Sequence, residues 1–136
     1  MIQNSPRLRF LKGVLWAGGI YEIGMGLVLI FFITGFFRFL GAEKEINYLI
    51  FSRTAGTLAV CFGLLLLISA RNPARYLAII LVSILLRVLI QFPILAGGLE
   101  IPNLALPLLG FGAFDLLFAL LTGIALYRSG IPWRDW

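Results

Sequence analysis

Four ionisable side chains, Glu22, Arg53, Arg87 and Asp115, each stand alone in a long apolar stretch of this chain. Two carboxylates and two guanidinium groups have a limited chemistry. The acids can work as a general acid and base only if they flank a substrate. All four can line a ligand pocket, or neutralise one another as a structural network. They make a poor proton relay, because arginine stays protonated. Other residue types add little. There is no histidine and a single cysteine, Cys61. An intramolecular disulfide is therefore impossible, and the usual nitrogen and sulfur ligands of zinc or haem are missing. No Ser, Cys or His arrangement supports nucleophilic catalysis, and no glycine-rich loop is built to hold phosphate. No catalytic residue, metal or cofactor is expected.

The elements that must position these charges are read from apolar run length. Of the 136 residues, 61% are hydrophobic and 12% charged, against about 25% charged in soluble domains. The runs 13–37, 46–70, 76–99 and 104–127 are each long enough to cross a bilayer. The expected architecture is all-α: one domain, 1–136, an integral membrane four-helix bundle running up-down-up-down. Residues 1–12 read as a polar lead, Gly41–Glu45 as a loop, and Arg71-Asn72-Pro73-Ala74-Arg75 as a tight basic turn. Pro93 is expected to kink the third run. Gly97 to Asn103 reads as a loop rich in breakers. In the tail, Trp133 and Trp136 suit the headgroup level.

A charge at mid-span costs about 2.5–3.5 kcal/mol on insertion scales, so the four are expected to meet. At 1.5 Å per residue, Glu22, Arg87 and Asp115 fall at roughly 14, 17 and 18 Å from one side, and Arg53 at roughly 26 Å. Arg87 should therefore pair with Glu22, Asp115 or both. Arg53 should reach the remaining acid, most readily Asp115, or line a cavity open to the other side. Facing agrees. Gly18, Gly19 and Gly26 surround Glu22. Arg53 is in line with Thr57 and Cys61, Arg87 with Ser83 and Gln91, and Asp115 with Gly112, Ala119 and Thr122. These small and polar stripes are expected to point inward, with Tyr21 reaching the same layer. The candidate ligand-binding or structural polar core is thus Glu22, Arg53, Arg87, Asp115, Gln91, Tyr21, Thr57 and Ser83.

Net charge is +5, which reads as basic flanks of membrane spans and not as a nucleic-acid footprint. Arg7, Arg9, Lys12, Arg71, Arg75, Arg128 and Arg134 lie on one side, and only Arg38 and Lys44 on the other. That asymmetry predicts both termini in the cytoplasm.

Arg53-Thr54-Ala55-Gly56, then Phe62-Gly63 and Ser69-Ala70-Arg71, resemble the second span of the DoxX-like group of small bacterial four-helix membrane proteins. Arg87 in the third span and Asp115 in the fourth fit the same pattern, over about residues 46–128. The resemblance implies a bacterial inner-membrane location and leaves activity open. Glu22-Ile23 and Gly35-Phe36-x-Arg38 are similar to the first helix of small multidrug resistance transporters. Against that, Arg53 and Arg87 would neutralise the glutamate such an exporter needs, and the tryptophan of its third span is absent. The expectation is a non-catalytic membrane protein whose partners are membrane lipids, with a lipid or quinone ligand at the polar core. Membership of a larger membrane complex, or a homodimer, is the companion expectation. The alternative is a proton-coupled exporter using Glu22.

Overall fold

A computed structural model describes residues 5–40, 49–100 and 102–131. They form four long helices: α1 (Pro6–Phe39), α2 (Leu49–Arg71), α3 (Leu77–Glu100) and α4 (Pro102–Ser129). All four are long and apolar enough to cross a membrane. Large apolar side chains cover the outside, among them Phe31, Phe51, Leu58, Leu99 and Tyr127. A helix that is hydrophobic all round suits lipid.

The boundaries follow local chemistry. α1 begins at Pro6, so residues 6–12 are helix and not a separate lead. Proline at the first helical position loses no hydrogen bond, and the Ser5 hydroxyl accepts from the Leu8 amide at 3.2 Å. The turn after Arg71 is as expected, with Asn72 Oδ1 accepting from the Arg75 amide. The expected loop from Gly97 to Asn103 is corrected. α3 continues to Glu100 and α4 starts at Pro102. Pro102 stands at the first helical position, where proline loses no hydrogen bond, and Gly97 and Gly98 are accommodated inside α3. The loop expected at Gly41–Glu45, and the tryptophans at 133 and 136, lie outside the described residues.

Glycine sets the closest helix contact. α1 and α2 run antiparallel, with Gly19 against Gly63 and Gly26 against Gly56. A Cβ on Gly26 would lie 2.6 Å from the Gly56 carbonyl oxygen, and one on Gly63 would lie 2.7 Å from that of Gly19. The equal seven-residue spacing in both helices brings both pairs together, as small residues do in bilayers. α3 and α4 are also antiparallel, as contacts from Arg87 to Asp115 and from Gln91 to Gly112 require.

The bundle is tight at one end and open at the other. Leu8, Leu11, Leu15, Leu66, Ala70, Leu77, Ile80, Ala125 and Leu126 form a buried cluster at the end that holds the described termini. Ser69 and Ser83 are buried there because each hydroxyl donates to a carbonyl three residues back. Beyond the level of Arg87 the helices lose regularity. α1 has a π-helical turn at Val28–Phe32. α3 breaks at Ile90, three residues before Pro93, and α4 contains Pro107. Pro93 lacks the N–H that Leu89 would need in an unbroken helix, so the expected kink lies at the preceding turn.

Candidate functional site

Where the tight half meets the open half, Arg87 joins three helices. Its Nη1 donates to Asp115 Oδ1 on α4 at 2.6 Å, and its Nη2 lies 2.8 Å from Glu22 Oε1 on α1. Arg87 is 3% exposed, and the two acid side chains 14% each. The Nη2 contact is an ion pair without aligned hydrogen-bond geometry. The guanidinium also stands over the rings of Phe118 and Tyr21, at 5.0 and 5.8 Å from their centroids. Tyr21 stacks in turn on Phe118 and leans on Phe114. A planar, delocalised cation is suited to accepting carboxylates at its edge and rings on its faces.

Gln91 holds the Arg87 backbone. Its Nε2 donates to the Arg87 carbonyl at 2.8 Å. Its Oε1 approaches Gly112 so closely that a Cβ there would lie 2.5 Å away. Gln91 therefore fixes α3 next to the break and presses it against α4. Ser83, one turn before Arg87, donates to the Ile80 carbonyl and takes no part in the triad formed by Glu22, Arg87 and Asp115.

Arg53 and Thr57 are corrections. Both are exposed, and Thr57 donates to the Arg53 carbonyl. Arg53 reaches neither Glu22 nor Asp115, and no ion pair of its side chain occurs among the described residues. The cause is the rotation of α2. The glycine seam turns Gly56 and Gly63 toward α1, and Thr57 is then roughly 100° away on the helical wheel. Ala55 and Ala59 face the bundle instead. Arg53 also lies in the second turn of α2, close enough to the helix end for its head to leave the hydrocarbon. Arg53→Gln is expected to change the unfolding free energy by less than about 1 kcal/mol. Thermal melting in detergent checks this; a loss matching that of an Arg87 substitution would return Arg53 to the network.

Beside the triad is a cavity of about 270 Å³. Glu22, Asp115 and Tyr21 form its polar wall, and Ala55, Ala59, Ile94, Phe36 and Phe111 belong to the apolar remainder. Tyr21, Leu40, Pro107 and Phe111 are shared with an apolar groove of about 600 Å³ between α1 and α4, completed by Leu106, Gly110 and Phe114. The groove and the cavity therefore lie next to the same four residues. Unlike Tyr21, Phe111 and Phe118 are additions to the site expected from the sequence, although both share the face of Asp115 by four- and three-residue spacing. Chemically, the arrangement can grip a polar group at the carboxylates and an apolar chain in the groove. No cluster suited to a metal occurs among the described residues. Comparison with protein-family models, curated proteins and solved structures gives no match for this chain.

Proposed function

We propose that this chain is a non-catalytic protein of the bacterial inner membrane, with both termini cytoplasmic, that holds one small amphipathic molecule. The supporting observation is the cavity bounded by Glu22 and Asp115, which shares four lining residues with an apolar groove. The head of a lipid or quinone would occupy the cavity and its tail the groove. A volume of about 270 Å³ is just below the usual range of about 300–1,000 Å³ for ligand pockets, which fits a head group with its chain outside. The buried cluster closes the end of the bundle that holds the described termini. This favours binding over passage. It also weighs against an exporter working through Glu22, which would need a path past the buried cluster. Membership of the DoxX-like group is part of the same reading, and so is docking of this ligand-bearing unit onto other membrane subunits.

The test is native mass spectrometry after extraction in mild detergent. Wild type is expected to retain one amphipathic molecule per chain. Ala59→Phe, which fills the cavity without altering charge, is expected to lose it while melting as wild type does. No retained molecule, or equal retention by the variant, overturns the proposal.

A further inference from the structure

The charge of the triad specifies the head group, provided that the ligand-binding reading above holds. Glu22 and Asp115 each give one oxygen, Oε1 and Oδ1, to Arg87. Their second oxygens, Oε2 and Oδ2, have no hydrogen bond or ion pair among the described residues. Both residues line the cavity, whereas Arg87 does not. Its guanidinium is sealed behind them, between the acids and the rings of Phe118 and Tyr21. The cavity therefore meets the acids and not the cation that pairs with them. With all three groups ionised, two negative charges and one positive leave a net charge of −1 in the middle of the bundle. Among the described residues, no basic side chain lines the cavity to offset it.

An uncompensated charge in a medium of low dielectric is costly, and the cost is removed by a proton on one acid or by a partner of opposite sign that also donates hydrogen bonds. Tyr21, Phe36 and Phe111 also line the cavity, and aromatic rings attract a cation. We infer that the ligand is a protonated amine on an apolar tail. The ammonium N–H groups bond Glu22 Oε2 and Asp115 Oδ2, and the tail lies in the groove past Leu40 and Pro107. A carboxylate or phosphate head alone would be repelled. A hydroxyl or carbonyl head would leave the negative charge in place.

Equilibrium binding to the full chain in phosphatidylcholine nanodiscs tests this, with empty nanodiscs subtracted. The probes are labelled dodecylamine, dodecanol, dodecanoate and a lysophosphatidylethanolamine. Wild type is expected to bind dodecylamine saturably, one per chain, and at least about tenfold tighter than dodecanol, as a charge-assisted hydrogen bond implies. Dodecanoate should not bind. Lysophosphatidylethanolamine binding as tightly as the amine places the source in lipid head groups; weaker binding places it in free amines. Asp115→Asn should erase the preference for amine over alcohol while alcohol binding persists. Ala59→Phe should abolish binding of every probe with the charges intact, and it serves if the Asp115 variant fails to fold. Equal binding of amine and alcohol by wild type overturns the cation inference and leaves the amphipath reading standing. No saturable binding of any probe, or binding unchanged in Ala59→Phe, overturns both.

Discussion

Arg87→Leu is expected to be the most damaging single substitution in the polar layer, costing about 3–5 kcal/mol of stability. Leucine fills most of the arginine stem's volume, so little of the loss would come from packing. The loss comes from electrostatics. Two carboxylates on α1 and α4 would remain close together, with no cation between them and only 14% of each side chain exposed. Breaking a buried pair by removing one partner leaves the other uncompensated, which costs more than the pair itself contributes. Arg87→Lys should fall between the two. An ammonium is a single point charge on a shorter reach, and it cannot present one nitrogen to Glu22 and another to Asp115 as the guanidinium does. The neutral triple variant Glu22→Gln/Arg87→Leu/Asp115→Asn should recover most of the loss, because apolar or neutral replacement of a whole buried network is often close to neutral. Thermal melting in one detergent compares all of these. If Arg87→Leu melts with wild type, the triad does not hold the bundle together.

The meeting of Glu22, Arg87 and Asp115 was legible in the sequence because it depends on two simple quantities. Run length places each helix across the bilayer, and rise per residue places each charge at a depth. Three charges at one depth, with opposite signs, have few alternatives to meeting. Arg53 was not legible for a corresponding reason. Depth left it apart from the others, and only the rotation of α2 could decide its facing. Two patterns compete on that helix, the polar stripe of Arg53, Thr57 and Cys61 and the glycine pair Gly56 and Gly63. Composition does not say which one a neighbouring helix will take. The structure gives the contact to the glycines, because they match Gly26 and Gly19 at the same spacing. The ends of α3 and α4 were misread for another reason. Gly97, Gly98 and Pro102 signal a loop in water, where an open backbone is hydrated. Here Gly97 and Gly98 lie within α3, and Pro102 opens α4, where proline costs no helical hydrogen bond.

Glycine packing between α1 and α2 gives the second large effect, and it separates two substitutions of identical chemistry. Gly26→Ala should destabilise the protein by about 3 kcal/mol, at the upper end of what overpacking a core costs. Its Cβ would meet the Gly56 carbonyl oxygen at 2.6 Å and the Val60 amide nitrogen at 2.9 Å. Both are backbone atoms of α2, so no side chain can swing aside and the helices themselves must part. Gly24→Ala, two residues earlier on the same helix, places its Cβ in open space. It should be neutral or stabilising by up to about 1 kcal/mol, the helix propensity gained. Combining Gly26→Ala with Gly56→Ala should cost less than the sum of the two. Once the first methyl has parted the helices, the second enters space already opened, and contacting sites are not additive. The parting also reaches the triad. Restoring ordinary contact needs the separation to grow from 2.6 to at least 3.4 Å. Glu22 lies on α1 between Gly19 and Gly26, so that movement draws its carboxylate from Arg87. Gly26→Ala should therefore weaken amine binding as well as stability, whereas Gly24→Ala should leave both intact. Melting curves and the same nanodisc binding measurement read the two consequences. Equal behaviour of the two alanine variants would mean that the glycine seam does not set the distance between α1 and α2.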